Sequence, residues 1–411
     1  MTEPRFASAL STAPGLGDAT DECVRSLRDE LGGRAPDLLL AFVGHHYEER
    51  LDGLGRKLKR ALGARVLAGC TAESVVGGSR EVEGRPALVL FAACLPGTEL
   101  RPIHLLADGS DSGGGDSGEP GGWAYSGLPE VRDPDRASLL LLSDPFSFPM
   151  PDYLARLERD LPGVPAVGGM ASGGKGPGQN LLLLGEVVLP MGAHGIVLEG
   201  DVGLRTAVSQ GCRPVGQPYV VTAAQGHVIR KLGGRGAARA MLDMLEGVSG
   251  HDRALFRRGP FLGIAVDATK SAFGPGDLLV RNVMGIYPRE EAISVADDSI
   301  RAGQSVQFMV RDAQSAGEDL RATLRRAAVG WPRGEAANGS IGALLFTCGG
   351  RGQRLFGTPD HDAACLQEEL GPDLATAGFF ANGEIGPLGG RNFLHGFTAA
   401  IALFQGRAAA G

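Results

Sequence analysis

The chain has few aromatic residues and few cysteines, and no apolar run long enough to cross a membrane. Aromatics make up 6% of its 411 residues, with two tryptophans, so a core must come from aliphatic side chains, chiefly Leu, Val and Ala. The six cysteines (Cys23, Cys70, Cys94, Cys212, Cys348, Cys365) are scattered and none forms a C-x-x-C pair. That spacing excludes a secreted disulfide framework and the usual zinc layouts. The longer apolar stretches, Leu38–Val43 and Ala87–Leu95 among them, are strand-sized, against the ~20 residues of a spanning helix. No basic-then-apolar leader opens the chain. The expectation is a cytoplasmic protein with reduced thiols and no membrane insertion. Positive charge is not concentrated either. The formal net charge is −7, and the densest basic stretch, Arg56-Lys57-Leu58-Lys59-Arg60, has the spacing of a solvated helix face. No nucleic-acid partner is expected.

What the chain has is glycine and a recurring pattern. It carries 65 glycines and 25 prolines, and 43% of its residues are hydrophobic, enough for a sizeable core with many tight turns. The length suits two domains of about 200 residues. After a leader and acidic helix over 1–35, a strand–helix–glycine-turn–strand unit appears three times. The first copy runs from Asp37–Val43 through a helix over Tyr47–Leu62 to Arg65–Ala68 and Gly69-Cys70-Thr71-Ala72-Glu73. The second runs from Ser138–Leu142 through Met150–Leu161 to Val164–Val167 and Gly168–Gly174. The third runs from Ala343–Cys348 through Asp360–Leu370 to Ala375–Ala377 and Gly378–Pro387. Copies two and three each carry an Asn (Asn180, Asn392) and a His-Gly pair (His194-Gly195, His395-Gly396). Between them, Leu204–Arg311 alternates with few helices, which predicts antiparallel or mixed sheet. The fold class is α/β (mixed α+β): two mixed-sheet domains built from the recurring unit. The Asp/Ser/Gly stretch over 107–122 reads as a flexible insertion and 405–411 as a tail.

No nucleotide motif is present: Lys175 is not followed by Ser or Thr, and Gly233-Gly234-Arg235-Gly236 lacks the dinucleotide spacing. His45-His46 are adjacent, and Asp360-His361-Asp362 reads as a helix N-cap with an acidic first turn. No metal site is expected. No G-x-S-x-G elbow exists. Cys348 beside Arg351 and Cys70 near Glu73 are the candidate nucleophiles, with a buried structural thiol as the alternative for each. The glycine turns are the better candidates, because they expose backbone groups and let a ligand approach closely. In the third copy Arg351, Asn382 and Glu384 bring polar chemistry to such a turn. There Arg351 could pair an acid and Glu384 an amine.

Several of these stretches resemble the FIST family of sensory proteins. They are Ala68–Glu73, Ser209-Gln210-Gly211-Cys212-Arg213-Pro214-Val215-Gly216, Gln307–Ala313, and above all Gly378-Phe379-Phe380-Ala381-Asn382-Gly383-Glu384-Ile385-Gly386-Pro387 with Leu394–Thr398. The resemblance implies a FIST N-terminal domain over 36–227 and a C-terminal domain over 228–404. It also implies an intracellular sensor of a small polar ligand, amino-acid-like or carboxylate, held between the two halves. Together with the glycine turns, it points to a site lined or supported by Cys70, Glu73, Cys212, Arg213, Cys348, Arg351, Phe380, Asn382, Gly383 and Glu384. No length remains for a kinase, cyclase or F-box, so a separate signalling partner is expected. Some members of the family are haem-based gas sensors; no position here matches a haem motif, and the expectation is no cofactor. A cysteine-dependent enzyme acting on a small amide or ring substrate, a protein-binding scaffold and a haem-based gas sensor are the alternative readings.

Overall fold

The computed structural model describes residues 3–47, 51–109, 123–267, 269–270, 272–274, 276–330 and 341–406. It comprises two compact units: Met1–Val208 with Arg321–Leu394 and Ala399–Gly411, and Ser209–Leu320 with His395–Thr398.

The first unit contains three modules. The first holds β1 (Arg5–Ser11), α1 (Leu16–Glu30), β2 (Leu38–Gly44), α2 (Leu54–Leu62), β3 (Val66–Ala72), β4 (Val75–Gly77), β5 (Arg80–Val82) and β6 (Leu88–Cys94). The second holds β7 (Thr98–Gly109), β8 (Trp123–Ser126), β9 (Ala137–Ser143), α3 (Met150–Asp160), β10 (Ala166–Met170), β11 (Leu182–Leu184), β12 (Val187–Leu189) and β13 (Ala193–Gly200). From there β14 (Val202–Gln210) leads on to the second unit.

That second unit holds β15 (Cys212–Pro214), β16 (Tyr219–Gln225), β17 (Val228–Leu232), β18 (Arg235–Gly236), α4 (Ala237–Gly247), α5 (Gly250–Arg258), β19 (Phe261–Ala265), β20 (Leu278–Tyr287), β21 (Ala292–Val295) and β22 (Ser305–Arg311). Six of these strands pair antiparallel in a closed ring, β22-β16-β17-β21-β20-β19 and back to β22. One face of the ring packs on α4 and α5 through Met241, Met244, Phe256, Leu262 and Phe308. Next, α6 (Ala313–Ala327) carries the chain back to the first unit. The third module follows, with β23 (Gly342–Cys348), α7 (Gln353–Phe356), α8 (His361–Leu370), β24 (Ala375–Ala381), β25 (Glu384–Leu388), β26 (Arg391–His395) and β27 (Thr398–Gly406).

Each module is built on one parallel pair: β2–β3, β9–β10 and β23–β24. All seven residues of β2, β9 and β3 are buried, as expected for strands covered on both faces. An antiparallel strand flanks each pair on one side: β6, β13 and β27. The other flank is taken by a hairpin from a different module. The first module's β4–β5 joins β24 of the third, the second module's β11–β12 joins β3 of the first, and the third module's β25–β26 joins β10 of the second. The exchange is cyclic, so each module completes the sheet of another and none closes a sheet alone.

Three glycines set the common register. Gly69, Gly168 and Gly378 lie opposite Ala41, Leu141 and Leu345 in their parallel partners. A Cβ at any of them would fall 1.8–2.0 Å from that partner's carbonyl oxygen, a distance no side chain survives.

This register corrects part of the repeat read from sequence. Asn180 precedes β11 and bonds Asp144 and Gly174, whereas Asn392 lies in β26 and bonds Ala166 and Val164. The two are not equivalent. His194 is inside β13, while His395 ends β26, so the His-Gly pairs do not correspond either. In the stretch read as a leader, Arg5–Ser11 is a strand paired with β6. β7 carries through Ala107–Gly109, paired with Trp123–Tyr125. The rest of the Asp/Ser/Gly stretch, 110–122, lies outside the described residues, as do 407–411 and 48–50 of the helix read over Tyr47–Leu62.

Candidate functional site

Because Gly69, Gly168 and Gly378 are equivalent, the residues that follow them are equivalent too. Each module reads Gly-x-x-Ala and then a polar residue: Glu73 after Ala72, Ser172 after Ala171, Asn382 after Ala381. The three strand ends converge and are tied in a ring. Ser172 N donates to Thr71 O at 3.3 Å and Asn382 N to Met170 O at 3.0 Å. The third link joins Phe380 N to Ser74 O at 2.9 Å and adds a side chain: the Ser172 hydroxyl accepts Glu73 N at 2.9 Å and donates to Phe380 O. Around this ring Glu73 and Asn382 are exposed, Ser172 is buried, and His45 and His46 are exposed at the end of β2. Gly349 lies against Glu73: a Cβ there would sit 3.8 Å from Glu73 Oε2 and 3.6 Å from Ala381 O. A Cβ at Gly173 would lie 2.6 Å from His45 Cβ and 3.3 Å from Glu73 N. The arrangement presents a carboxylate, a primary amide and a half-buried thiol, Cys348, at glycine-lined strand ends. Such groups recognise amines and amides by donor–acceptor geometry.

Arg351 is directed elsewhere. It is fully buried and donates to Asp362 through Nε at 2.6 Å and Nη2 at 2.9 Å. Asp362 also accepts from Thr347 Oγ1 at 2.7 Å, and His361 Nδ1 lies 2.9 Å from it. Burial alone would raise the Asp362 carboxyl. Arg351 and the hydrogen bonds from His361 and Thr347 overcome this and hold it well below the usual carboxylate range. The guanidinium expected to pair a ligand acid is therefore committed to an internal ion pair. Asp360 takes the N-cap position of α8, but its side chain does not cap that helix. Instead Asp360 Oδ1 accepts Glu81 N at 2.6 Å, while Glu81 Oε1 accepts Asp362 N at 2.8 Å and Ala363 N at 2.9 Å. The cap comes from the exchanged hairpin.

The structure brings Glu73, Cys348, Phe380, Asn382 and Gly383 to the strand-end ring. Phe380 is buried, and the ring uses its carbonyl. Gly383, at φ 123, accepts Met170 N through its carbonyl. Glu384 heads β25 opposite Gly169 and is wholly buried, where the other modules have Val75 and Leu182. Cys70 lies inside β3, and burial pushes its thiol far up, which removes it as a nucleophile. Cys212 and Arg213 belong to the second unit. There Cys212 packs with Phe261, Leu278 and Met309, and Arg213 pairs with Asp252 and, at 3.2 Å, Asp312. Ser172, His45, Glu81 and Asp362 were not singled out from sequence as site residues. The repeated Gly-x-x-Ala-polar spacing is the signal that marks Ser172.

Fold and site together define a mixed α/β protein whose exchanged modules converge on a small polar cluster. Residues 37–235 match the FIST N domain and residues 237–387 the FIST C domain. The chain belongs to the FIST family, whose domains are associated with small-ligand sensing and signal transduction. It is 40% identical over 400 residues to an uncharacterized protein of Mycobacterium bovis, covering 97% of this chain and 98% of that one. An uncharacterized protein of Mycobacterium tuberculosis is 38% identical over 400 residues, covering 97% and 99%. Among solved structures, a cyanuric acid hydrolase from A. caulinodans aligns with a TM-score of 0.31 at 12% identity, over 98% of this chain and 100% of that one. That likeness is too distant to bear on chemistry. Among the described residues, no helix is long and apolar enough to cross a membrane, and no group of three or more His, Cys, Asp or Glu side chains could hold a metal ion.

Proposed function

We propose that this chain is a sensor that binds a small polar molecule bearing an amine or amide at the convergence of the three strand ends. A separate protein partner would carry its signal. The observation that supports this reading is the equivalence of Glu73, Ser172 and Asn382, three polar side chains placed by one repeated backbone register. Glu73 would accept from an ammonium or amide N–H. Asn382 would both donate and accept, and Ser172 would hold the ring that orients them. Amino-acid-like ligands fit better than simple carboxylates, because Arg351 is taken up by Asp362. The halves that meet here are the FIST N and FIST C segments within the first unit, since Glu73 and Ser172 come from one and Cys348 and Asn382 from the other.

A thermal-shift screen of amino acids, primary amides, amines and carboxylates tests the proposal. The expected result is stabilisation by an amine- or amide-bearing compound, lost in Glu73→Gln and in Asn382→Ala. Hits that bind both variants like the wild type, or no hit at all, would overturn it.

A further inference from the structure

We propose that Glu81 and Arg351 are positioning residues that latch the Cys348–Gly352 loop, and that this latch makes the candidate site respond to protons. The inference rests on the binding reading above for its functional consequence, while the latch itself stands on geometry. The chain leaves the site at Glu73, forms the β4–β5 hairpin, and reaches Glu81 and Glu83 within ten residues. On the third module's sheet these two glutamates hold the start of two helices. Glu81 accepts the backbone N–H groups of Asp362 and Ala363, at α8, and Glu83 accepts that of Gln353 at 3.0 Å, at α7. Gly352, at φ 61, packs so closely that a Cβ there would lie 2.6 Å from Glu83 Oε1. Between the two grips Arg351 is locked to Asp362. The loop that starts at Cys348 is therefore fastened at its far end, directly at Gln353 and through Arg351 and Asp362, to the hairpin that follows Glu73.

The cluster has an imbalance of charge and of hydrogen bonds. Glu81 Oε2 and Arg351 Nη1 are buried with no hydrogen-bond partner among the described residues. The groups that face Glu81 are Asp362, His361 and Asp360 at α8, Arg351 before α7, and Glu83 on its own hairpin; Cys365 and, from α6, Arg321 stand behind Asp362 and Arg351. Burial, and then the Asp362 charge, push the Glu81 carboxyl up to about 8, against the opposing pull of its two backbone N–H bonds. Glu81 therefore keeps its proton near neutrality, and Oε2 is the oxygen that carries it. Above that point it loses the proton beside the Asp362 carboxylate, which holds Arg351 through Nε and Nη2. A carboxyl raised in the folded state contributes stability that is complete below its ordinary value and lost as pH rises to the folded one. The grip on α7 and α8 loosens in that window, and the Cys348–Gly352 loop loosens with it.

Hydrogen exchange of the full chain, followed over 349–363 at about pH 6.5 and about pH 9 and corrected for intrinsic rates, tests the latch. Protection in the wild type should fall about tenfold or more across that interval, and Glu81→Gln, which has no proton to lose, should abolish the fall. Unchanged wild-type protection, or an equal fall in Glu81→Gln, would overturn the proposal. If Glu81→Gln does not fold, a carboxyl-carbon NMR titration of the wild type decides. A glutamate titrating near 8 supports the latch, and the absence of any titrating above about 6 sinks it. Neither measurement uses a ligand. A silent ligand screen with pH-dependent protection would thus overturn the binding reading and leave the latch standing.

Discussion

The Ser172 hydroxyl accepts the backbone N–H of Glu73 at 2.9 Å and donates its own O–H to the Phe380 carbonyl. One side chain thus reinforces the junction that Phe380 N and Ser74 O also close backbone to backbone at 2.9 Å. Ser172→Ala leaves the Phe380 carbonyl without this partner in a buried place, costing about 1–3 kcal/mol, and the Glu73 N–H without it in a part-buried one. The expected outcome is a urea midpoint lowered accordingly, with Ser172→Thr closer to wild type. Equal stability of Ser172→Ala and wild type would show that the ring closes without the hydroxyl.

The register glycines should tolerate nothing larger. Gly69→Ala, Gly168→Ala and Gly378→Ala each drive a methyl into a facing carbonyl, and a loss above about 4 kcal/mol is expected. Gly17→Ala is the control. It sits in α1 with nothing within 4 Å of its Cβ position and should gain about 0.5–1 kcal/mol. Soluble yield and thermal midpoint distinguish the two groups.

Arg351→Met strands the Asp362 charge in a fully buried site. Breaking one partner of such a pair costs about 3–5 kcal/mol. Adding Asp362→Leu to it should restore much of the loss, because the desolvated charge is gone. Chemical denaturation of the two single variants and the double variant measures the coupling, and additive losses would contradict an ion pair.

Burial lowers His194 to about 4 from an ordinary 6.5, with its Nε2 3.0 Å from the Gly69 carbonyl. A histidine lowered in the folded state is charged only after unfolding, so stability falls as pH drops from about 6.5 to about 4. The contribution is roughly 3 kcal/mol at most. His194→Gln should flatten the melting-temperature curve over that interval and leave it unchanged above about pH 7.

Thiol labelling should divide the cysteines by depth. Cys94 and Cys348 are half-buried and should react with iodoacetamide in the native protein. Cys23, pushed up to about 12 by burial, and Cys70 should react only on unfolding. Native-state modification of Cys70, read by mass spectrometry, would contradict its place in the core.

Local chemistry made much of this protein legible in its sequence. Apolar runs such as Leu38–Val43 read as buried strands, Leu54, Leu58 and Leu62 marked a helix face, and three strand–helix–glycine-turn copies announced the modules. Those signals are local because periodicity and turn chemistry act over a few residues. The convergence of Glu73 and Asn382 on one ring, the bridge made by Ser172, and the loss of Arg351 to Asp362 were decided by tertiary structure. So was the cap on α8, where Asp360 holds the expected position and Glu81, from a distant hairpin, supplies the oxygen. Each of these depends on which sheet a hairpin joins. That choice is made by pairing across hundreds of residues, which no local pattern encodes.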